Sequence, residues 1–386
     1  MFTFPLDADE LFTERAIQMK SWGIPAHTVD VVRKAVTDSW SDGPGGWVYE
    51  WVKQAKLAEK AGRWLEAANC YGAAKFPVAC TASREQALQN QTHAYLRAAA
   101  QFPCYFERIE VPVLYGGSLL PVPVHLFERG RGKHRKPRHL VCLSGGVDTC
   151  KMELHRLAVA LAVLGGFRVV VMDMPGTGES KVLLQPDADV IYRSVIAQLK
   201  DKDAKVAMIG ISFGGHWAAK LAFSGVVDAA VDIGGPVGFT AGRAAFFTTL
   251  PNGMTGIVAN ALGMDHLPTT HQVTSLMSAF SLREQGVLDQ NLQAPLLVIN
   301  GSNDPYIPIE DTLGFVGLPN ASVWLVRNGH HCAAAQFARL VPSMLVWLRI
   351  KMYGNTGFNT ALGAISGLIR PTLAKTHPFS SVIRAA

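Results

Sequence analysis

Charged residues are scarce in this chain of 386: Asp, Glu, Lys and Arg make up 17% of it, against 49% hydrophobic residues. That balance excludes a disordered or fibrous protein and calls for a large interior. Long apolar runs are missing as well. The longest, residues 157–166, ends after ten residues at Phe167 and Arg168, about half of what a bilayer-spanning helix requires, so no membrane span is expected. There is no His-Glu-x-x-His, no Cys/His ligand set, no Gly-Lys-Ser/Thr and no Gly-x-Gly-x-x-Gly, so neither a metal nor a nucleotide or other cofactor is expected. The six cysteines (Cys70, Cys80, Cys104, Cys142, Cys150 and Cys332) show no Cys-x-x-Cys spacing, and the first ten residues are acidic where a secretion signal would be basic. Reduced thiols in a cytoplasmic protein are the expectation.

The formal net charge of +6 has a local origin. Arg129, Arg131, Lys133, Arg135, Lys136 and Arg138 fall within ten residues. No aromatics interleave them, so they read as a solvated surface loop and a nucleic-acid partner is not expected.

A chain this long exceeds most single compact domains, and one large domain with a smaller attachment is the natural division. Residues 8 to about 102 carry apolar positions three and four apart with no strand signal, broken by Ser39-Trp40-Ser41-Asp42-Gly43-Pro44-Gly45-Gly46; this predicts helices. Ala58, Ala61, Gly62, Ala67, Tyr71 and Ala74 have the small-residue spacing of one tetratricopeptide-like hairpin turned at Gly62. A single such unit cannot bury its own apolar face and must pack on the rest of the chain.

Alternation begins at residue 106. Residues 106–113 and 121–127, joined through Gly116-Gly117, predict an antiparallel edge hairpin. Short β-branched runs then alternate with helical stretches at 139–143, 167–172, 204–209, 227–233, 295–300 and 322–326. The predicted class is α/β: a mostly parallel sheet with helices on both faces. Residues 236–291 are too long for a simple crossover and suit a helical insertion. The expected division is 1–105 helical, 106–353 sheet domain and 354–386 a C-terminal extension. That tail is rich in Gly, Thr and Ser, contains Arg370, Lys375 and Arg384 but no acid, and reads as loosely docked, with a partner or membrane surface as the functional alternative.

The chemistry concentrates after the strands. Gly210-Ile211-Ser212-Phe213-Gly214 follows residues 206–209 and precedes a helix expected near Gly215 and His216. In that position Ser212 occupies a strained strand-to-helix elbow with its Oγ clear of the sheet. A serine nucleophile needs a base, and the base needs a carboxylate to orient it. Asp304 lies in the loop after 295–300, and His330 and His331 lie in the loop after 322–326. All three loops open at the carboxyl edge of the sheet, where ligands bind in such folds. Adjacent histidines cannot both serve as the base, and spacing alone leaves the choice between them open. The Phe213 N–H offers one oxyanion donor, and Gly146 or Val147, in Ser144-Gly145-Gly146-Val147-Asp148, offers a second. Trp47, Trp51, Tyr71 and Phe76 either line a substrate cavity or belong to the helical core.

Together with Asp173-Met174-Pro175-Gly176-Thr177-Gly178-Glu179-Ser180, these segments resemble the α/β-hydrolase superfamily. Gly45-Gly46-Trp47-Val48-Tyr49-Glu50-Trp51, Ala67-Ala68-Asn69-Cys70-Tyr71 with Phe76-Pro77, Gly145-Gly146-Val147-Asp148 and Leu262-Gly263-Met264 are similar to its esterase branch that includes the fermentation-respiration switch protein. Dihydroxypseudooxynicotine hydrolase and the fungal hydrolases that shorten polyketides share the architecture. The resemblance spans about residues 10 to 350. It implies an α/β-hydrolase core under an N-terminal all-helical lid domain, a Ser212, Asp304, His331 triad, and a homodimer, since members often dimerise. His331 is favoured because the family's histidine is followed by Cys two residues after a Gly, as in Gly329-His330-His331-Cys332.

The expected function is a serine hydrolase that forms an acyl-enzyme on an ester, thioester or activated ketone carbonyl of a small to medium apolar molecule, polyketide-like in the manner of secondary metabolism. Two alternatives stand beside it. An internal hydroxyl replacing water would give lactone formation or acyl transfer, and a binding or regulatory protein could keep the fold without chemistry.

Overall fold

The computed structural model describes residues 1–130, 138–238 and 244–376. Its N-terminal region folds as α1 (Ala8–Trp22), α2 (Ala26–Ala35), α3 (Trp47–Lys60), α4 (Trp64–Lys75) and α5 (Ala82–Ala98). Local chemistry sets the ends: the Asp7 side chain accepts from the Glu10 N–H at the start of α1, and Gly23, at φ 114°, closes it. Gly62 turns α3 into α4 at φ 71°, and Ala55, Ala58, Ala67 and Ala74 are wholly buried where the two helices approach. Trp47, Trp51, Tyr71 and Phe76 are interior residues of this region. The Trp47 indole donates to the Ala73 carbonyl at 2.7 Å, so these rings are core and do not line the substrate cavity.

The sheet comprises β1 (Tyr105–Tyr115), β2 (Ser118–Glu128), β3 (Leu140–Ser144), β4 (Arg168–Met172), β5 (Val206–Ile211), β6 (Ala229–Ile233), β7 (Leu296–Gly301) and β8 (Ala321–Val326), in spatial order β1-β2-β4-β3-β5-β6-β7-β8. The β1–β2 hairpin and the β2–β4 pair are antiparallel; the others are parallel. Helices α6 (His155–Val163), α7 (Asp189–Leu199) and α8 (Phe213–Phe223) connect the central strands. Three more, α9 (Ala244–Thr248), α10 (Met254–Ala261) and α11 (Thr270–Phe280), lie between β6 and β7. The chain continues through α12 (Ile309–Leu313), α13 (Phe337–Tyr353) and α14 (Gly357–Ile369).

Strand side chains alternate between two cores, as a doubly covered sheet requires. Val141, Leu143, Val169 and Val171 pack with the N-terminal helices, α6 and α13, while Leu140, Cys142, Val170 and Met172 pack with α7, α8 and the insertion. The N-terminal arm reaches the insertion: Phe4 occupies the space a side chain at Gly253 or Gly256 would need, and Phe2 exchanges hydrogen bonds with the Asn260 side chain.

Two details differ from the sequence reading. Helix α8 starts at Phe213, not near Gly215, because the Gly215 N–H already bonds the Ser212 carbonyl at 2.7 Å. The tail is docked: Ser343 Oγ donates to the Ser366 carbonyl, Arg349 to Asn359 Oδ1, and Leu373 bridges Val326 on β8. In the basic segment, Arg131, Lys133, Arg135 and Lys136 lie outside the described residues, while Arg138 donates to the Arg129 carbonyl at 2.8 Å.

Candidate active site

Strand β5 ends in a turn that only small neighbours permit. A Cβ on Gly210 would lie 1.9 Å from the Gly214 carbonyl oxygen, and one on Gly214 would lie 2.6 Å from that of Gly145. Between them Ser212 adopts φ 55°, ψ −130°, a conformation costing on the order of 1–3 kcal/mol for a residue with a side chain. Its N–H is held by the Ile233 carbonyl at 2.8 Å. The strain is thus held by β6, and the hydroxyl stands above the sheet edge.

Ser212 Oγ lies 2.9 Å from His331 Nε2, and His331 Nδ1 lies 2.7 Å from Asp304 Oδ2. A carboxylate can only accept, so Nδ1 carries the hydrogen and Nε2 presents its lone pair to the hydroxyl. His330 is exposed and is not among the residues that line the cavity at Ser212. Among the other histidines, His125, His155 and His216 are buried, and burial pushes each below the ordinary imidazole range, His216 to about 3.

Asp304 is fixed from several sides. Its Oδ1 accepts from the backbone N–H of Tyr306 at 2.8 Å and of Ile307 at 3.1 Å, and its Oδ2 from Asn300 Nδ2 at 2.9 Å. Asn300, at the end of β7, also accepts from the Cys332 N–H at 3.1 Å, so one amide ties the carboxylate loop to the imidazole loop. Burial alone would raise the Asp304 pKa; His331 and these hydrogen bonds outweigh it and leave the carboxyl below its usual range. For His331, burial disfavours the imidazolium, but Cys332 and the Asp304 carboxylate prevail and raise it well above the ordinary value.

Phe213 is the first residue of α8, and the first N–H of a helix has no intrahelical acceptor. Gly146 sits beside it: a Cβ there would lie 2.6 Å from Ser212 Cβ and 3.2 Å from the Phe213 nitrogen. Glycine at 146 keeps open the space beside the Ser212 hydroxyl, and Val147 lines the same space.

That space is a narrow apolar cavity of about 60 Å³, walled by Phe213, Leu250, Met254, Val258, Leu276 and Met277. A wider cleft of about 760 Å³ has Lys75, Arg108, Asp148 and Glu179 among its lining residues. Val147 lines both.

Several residues at this edge carried no role in the sequence reading. Tyr306 lines the cavity with its ring edge-on to His331, the centroids 5.2 Å apart. Its hydroxyl donates to Glu14 on α1 and accepts from Asn252 at 2.9 Å. Burial first, with Glu14 beside it, raises the Tyr306 pKa, so the phenol stays protonated. Arg15 pairs with Asp148 at 3.1 Å, and Gln18 donates to Thr149 at 3.2 Å. Helix α1 therefore touches both the loop after β3 and the loop after β7. No short-range pattern marks these contacts, since the partners are more than one hundred residues apart.

Comparisons with known proteins place the chain by sequence and by fold. Esterase FrsA of Yersinia pestis (strain Pestoides F) is 28% identical over 286 residues, spanning 69% of this chain and 68% of that protein. The structure of AbyA5 superposes with a TM-score of 0.78 at 20% identity, covering 94% of this chain and 100% of the other. That of 2,6-dihydroxy-pseudo-oxynicotine hydrolase gives 0.67 at 19% identity, covering 95% and 99%. At such identities the two structures establish the α/β-hydrolase fold, including the helical N-terminal region. The esterase FrsA-like family model matches residues 34–352, from within α2 to the end of α13. Strand order, elbow and sequence match converge, and the chain belongs to the FrsA-like esterase family of the α/β-hydrolase superfamily.

Proposed function

We propose that the protein is a serine hydrolase working through an acyl-enzyme on Ser212. The observation that carries this reading is the unbroken line from Ser212 Oγ through His331 to Asp304 at 2.9 and 2.7 Å. Oγ attacks the substrate carbonyl carbon as its proton passes to His331 Nε2. The oxyanion accepts from the Phe213 N–H and from that of Gly146 or Val147. Collapse expels the leaving group, which takes the proton from Nε2. A water then repeats the sequence: its proton goes to Nε2, its oxygen bonds the acyl carbon, and Oγ leaves with the proton returned.

Val147 lines both spaces, and on this reading they take the two parts of a substrate. The slot of about 60 Å³ suits a short apolar acyl group, and the wider cleft, with charged residues on its lining, suits a larger leaving group. Helix α1 and the insertion act as a lid in this reading, limiting the access of bulk water to the acyl-enzyme. Esters and thioesters fit the mechanism directly. An activated ketone fits if its carbanion leaves as an enol, the proton again coming from Nε2.

The test is a mass-spectrometric screen of acyl esters, acyl thioesters and β-diketones of graded acyl length, with Ser212→Ala in parallel. Turnover of at least one class, favouring short acyl groups and absent from the variant, is expected. Turnover unaffected by the variant would refute the mechanism.

A further inference from the structure

Helix α14 is built inside out for a surface element of a water-soluble face. Two of its polar side chains point inward: Asn359 is 1% exposed and Ser366 6%. Three of its large apolar side chains point outward, Phe358 at 63%, Ile365 at 62% and Leu368 at 85%, while Thr360 is exposed and Leu362 half-buried. The inward residues are anchored on α13, Asn359 by Arg349 and the Ser366 carbonyl by Ser343, so this orientation is held by specific bonds. The exposed positions recur at 358, 365 and 368 with Ala361 between them, which places them along one side of a helix about 20 Å long.

The C-terminal sequence that carries this helix has charge of one sign. Residues 312–386 contain seven Lys and Arg and not a single Asp or Glu. At one end of α14 the Arg349 guanidinium lies 5.1 Å from the Tyr353 ring and 5.6 Å from that of Phe358. On the same side, in the last turn of α13, Lys351 lies 5.7 Å from the Trp347 ring, and at the other end of α14 Arg370 lies 5.0 Å from the Trp324 ring. Basic and aromatic groups thus flank an apolar stripe. This is the pattern of a helix that lies in a bilayer interface, apolar residues among the acyl chains and cations among the headgroups.

We propose that α14 and its basic, aromatic surround dock the protein peripherally on an anionic lipid bilayer. Charge selects this occupant over a second copy of the chain. Symmetric self-pairing through this face would set like-charged segments against each other with no carboxylate from 312–386 to offset them, whereas anionic headgroups complement every cation. The docking is interfacial: among the described residues no helix is long and apolar enough to cross a membrane. The segment lies beyond the residues matched by the family model, and the proposal does not depend on the proposed chemistry.

The full chain would be sedimented with phosphatidylcholine vesicles and with vesicles containing about 30% phosphatidylglycerol, at low salt and at about 0.5 M salt. Binding to the anionic vesicles should exceed that to the zwitterionic ones by about tenfold or more and weaken with salt. Phe358→Ser/Ile365→Ser/Leu368→Ser should lower it by about tenfold or more, with circular dichroism and cleavage of a small activated ester unchanged. Because that triple variant alters an entire face, Lys351→Gln/Arg370→Gln/Lys375→Gln provides a second arm and should abolish the preference for anionic lipid. No vesicle binding, equal binding to both vesicles, or binding retained in both variants would overturn the proposal. So would a wild-type dimer in solution that the triple serine variant converts to a monomer, since the stripe would then be a contact between copies.

Discussion

Arg15 on α1 and Asp148, in the loop beside the nucleophile, form a buried ion pair at 3.1 Å. Asp148 follows Val147, which lines the cavity at Ser212, so an N-terminal helix reaches to within one residue of the reaction space. The Arg15 guanidinium also lies 5.4 Å from the Tyr306 ring, in the loop that carries Asp304. A single cation couples the α1 helix to two loops of the site.

Removing one partner should therefore cost more than the pair is worth. Arg15→Met leaves Asp148 buried without its counter-charge, and a loss of about 3–5 kcal/mol is expected. Replacing both with apolar residues should recover much of that loss. Urea denaturation of the two single variants and the double variant measures the coupling; additive losses would mean that the pair does not interact.

His331→Ala should lower kcat by about 10⁴ or more, whereas His330→Ala should stay within about tenfold of wild type. His330 is exposed and does not line the cavity at Ser212, whose hydroxyl lies 2.9 Å from His331. Steady-state kinetics on one ester decides it, and a dead His330→Ala beside an active His331→Ala would reverse the assignment.

The acid limb of the kcat/KM profile should have its midpoint above pH 6.5. Burial opposes the charge on His331, but Cys332 and Asp304 raise its pKa above that ordinary value, and the base works only when neutral. Stability follows the opposite sign: the raised His331 pKa contributes fully below pH 6.5 and fades as pH rises through the folded value. The depressed Asp304 pKa contributes above its ordinary value of 3.8 and is lost as pH falls through the folded one. A pH–rate profile with its acid midpoint below about 6 would contradict the predicted direction.

Leu276 is half-buried on the wall of the slot. Leu276→Ala should enlarge it and raise kcat/KM for a longer acyl ester relative to an acetyl ester by about tenfold, the value of one or two methylenes in an apolar pocket. An unchanged ratio would place the acyl group elsewhere.

Much of this was legible in the sequence because it depends on neighbours along the chain. The Gly-x-Ser-x-Gly segment after a β-branched run specifies the elbow through local sterics, and the strand pattern predicted the sheet, because alternation and burial on both faces follow from the backbone period. Other features depend on distant neighbours. Tyr306 meets Glu14 and Asn252 only after folding, and α14 was hidden because its Gly, Ser and Thr content reads as loop until Asn359 and Ser366 find partners on α13. Trp47 and Trp51 were ambiguous for the same reason: helical spacing does not tell a core face from a cavity wall.

The proposed mechanism requires an activated hydroxyl at Ser212. A fluorophosphonate probe measures this without knowledge of the substrate. One adduct per chain is expected by intact mass, mapped to Ser212, absent from a folded Ser212→Ala variant and strongly slowed in His331→Ala. A folded wild-type protein that takes up no probe, or takes it up equally in Ser212→Ala, would contradict the mechanism.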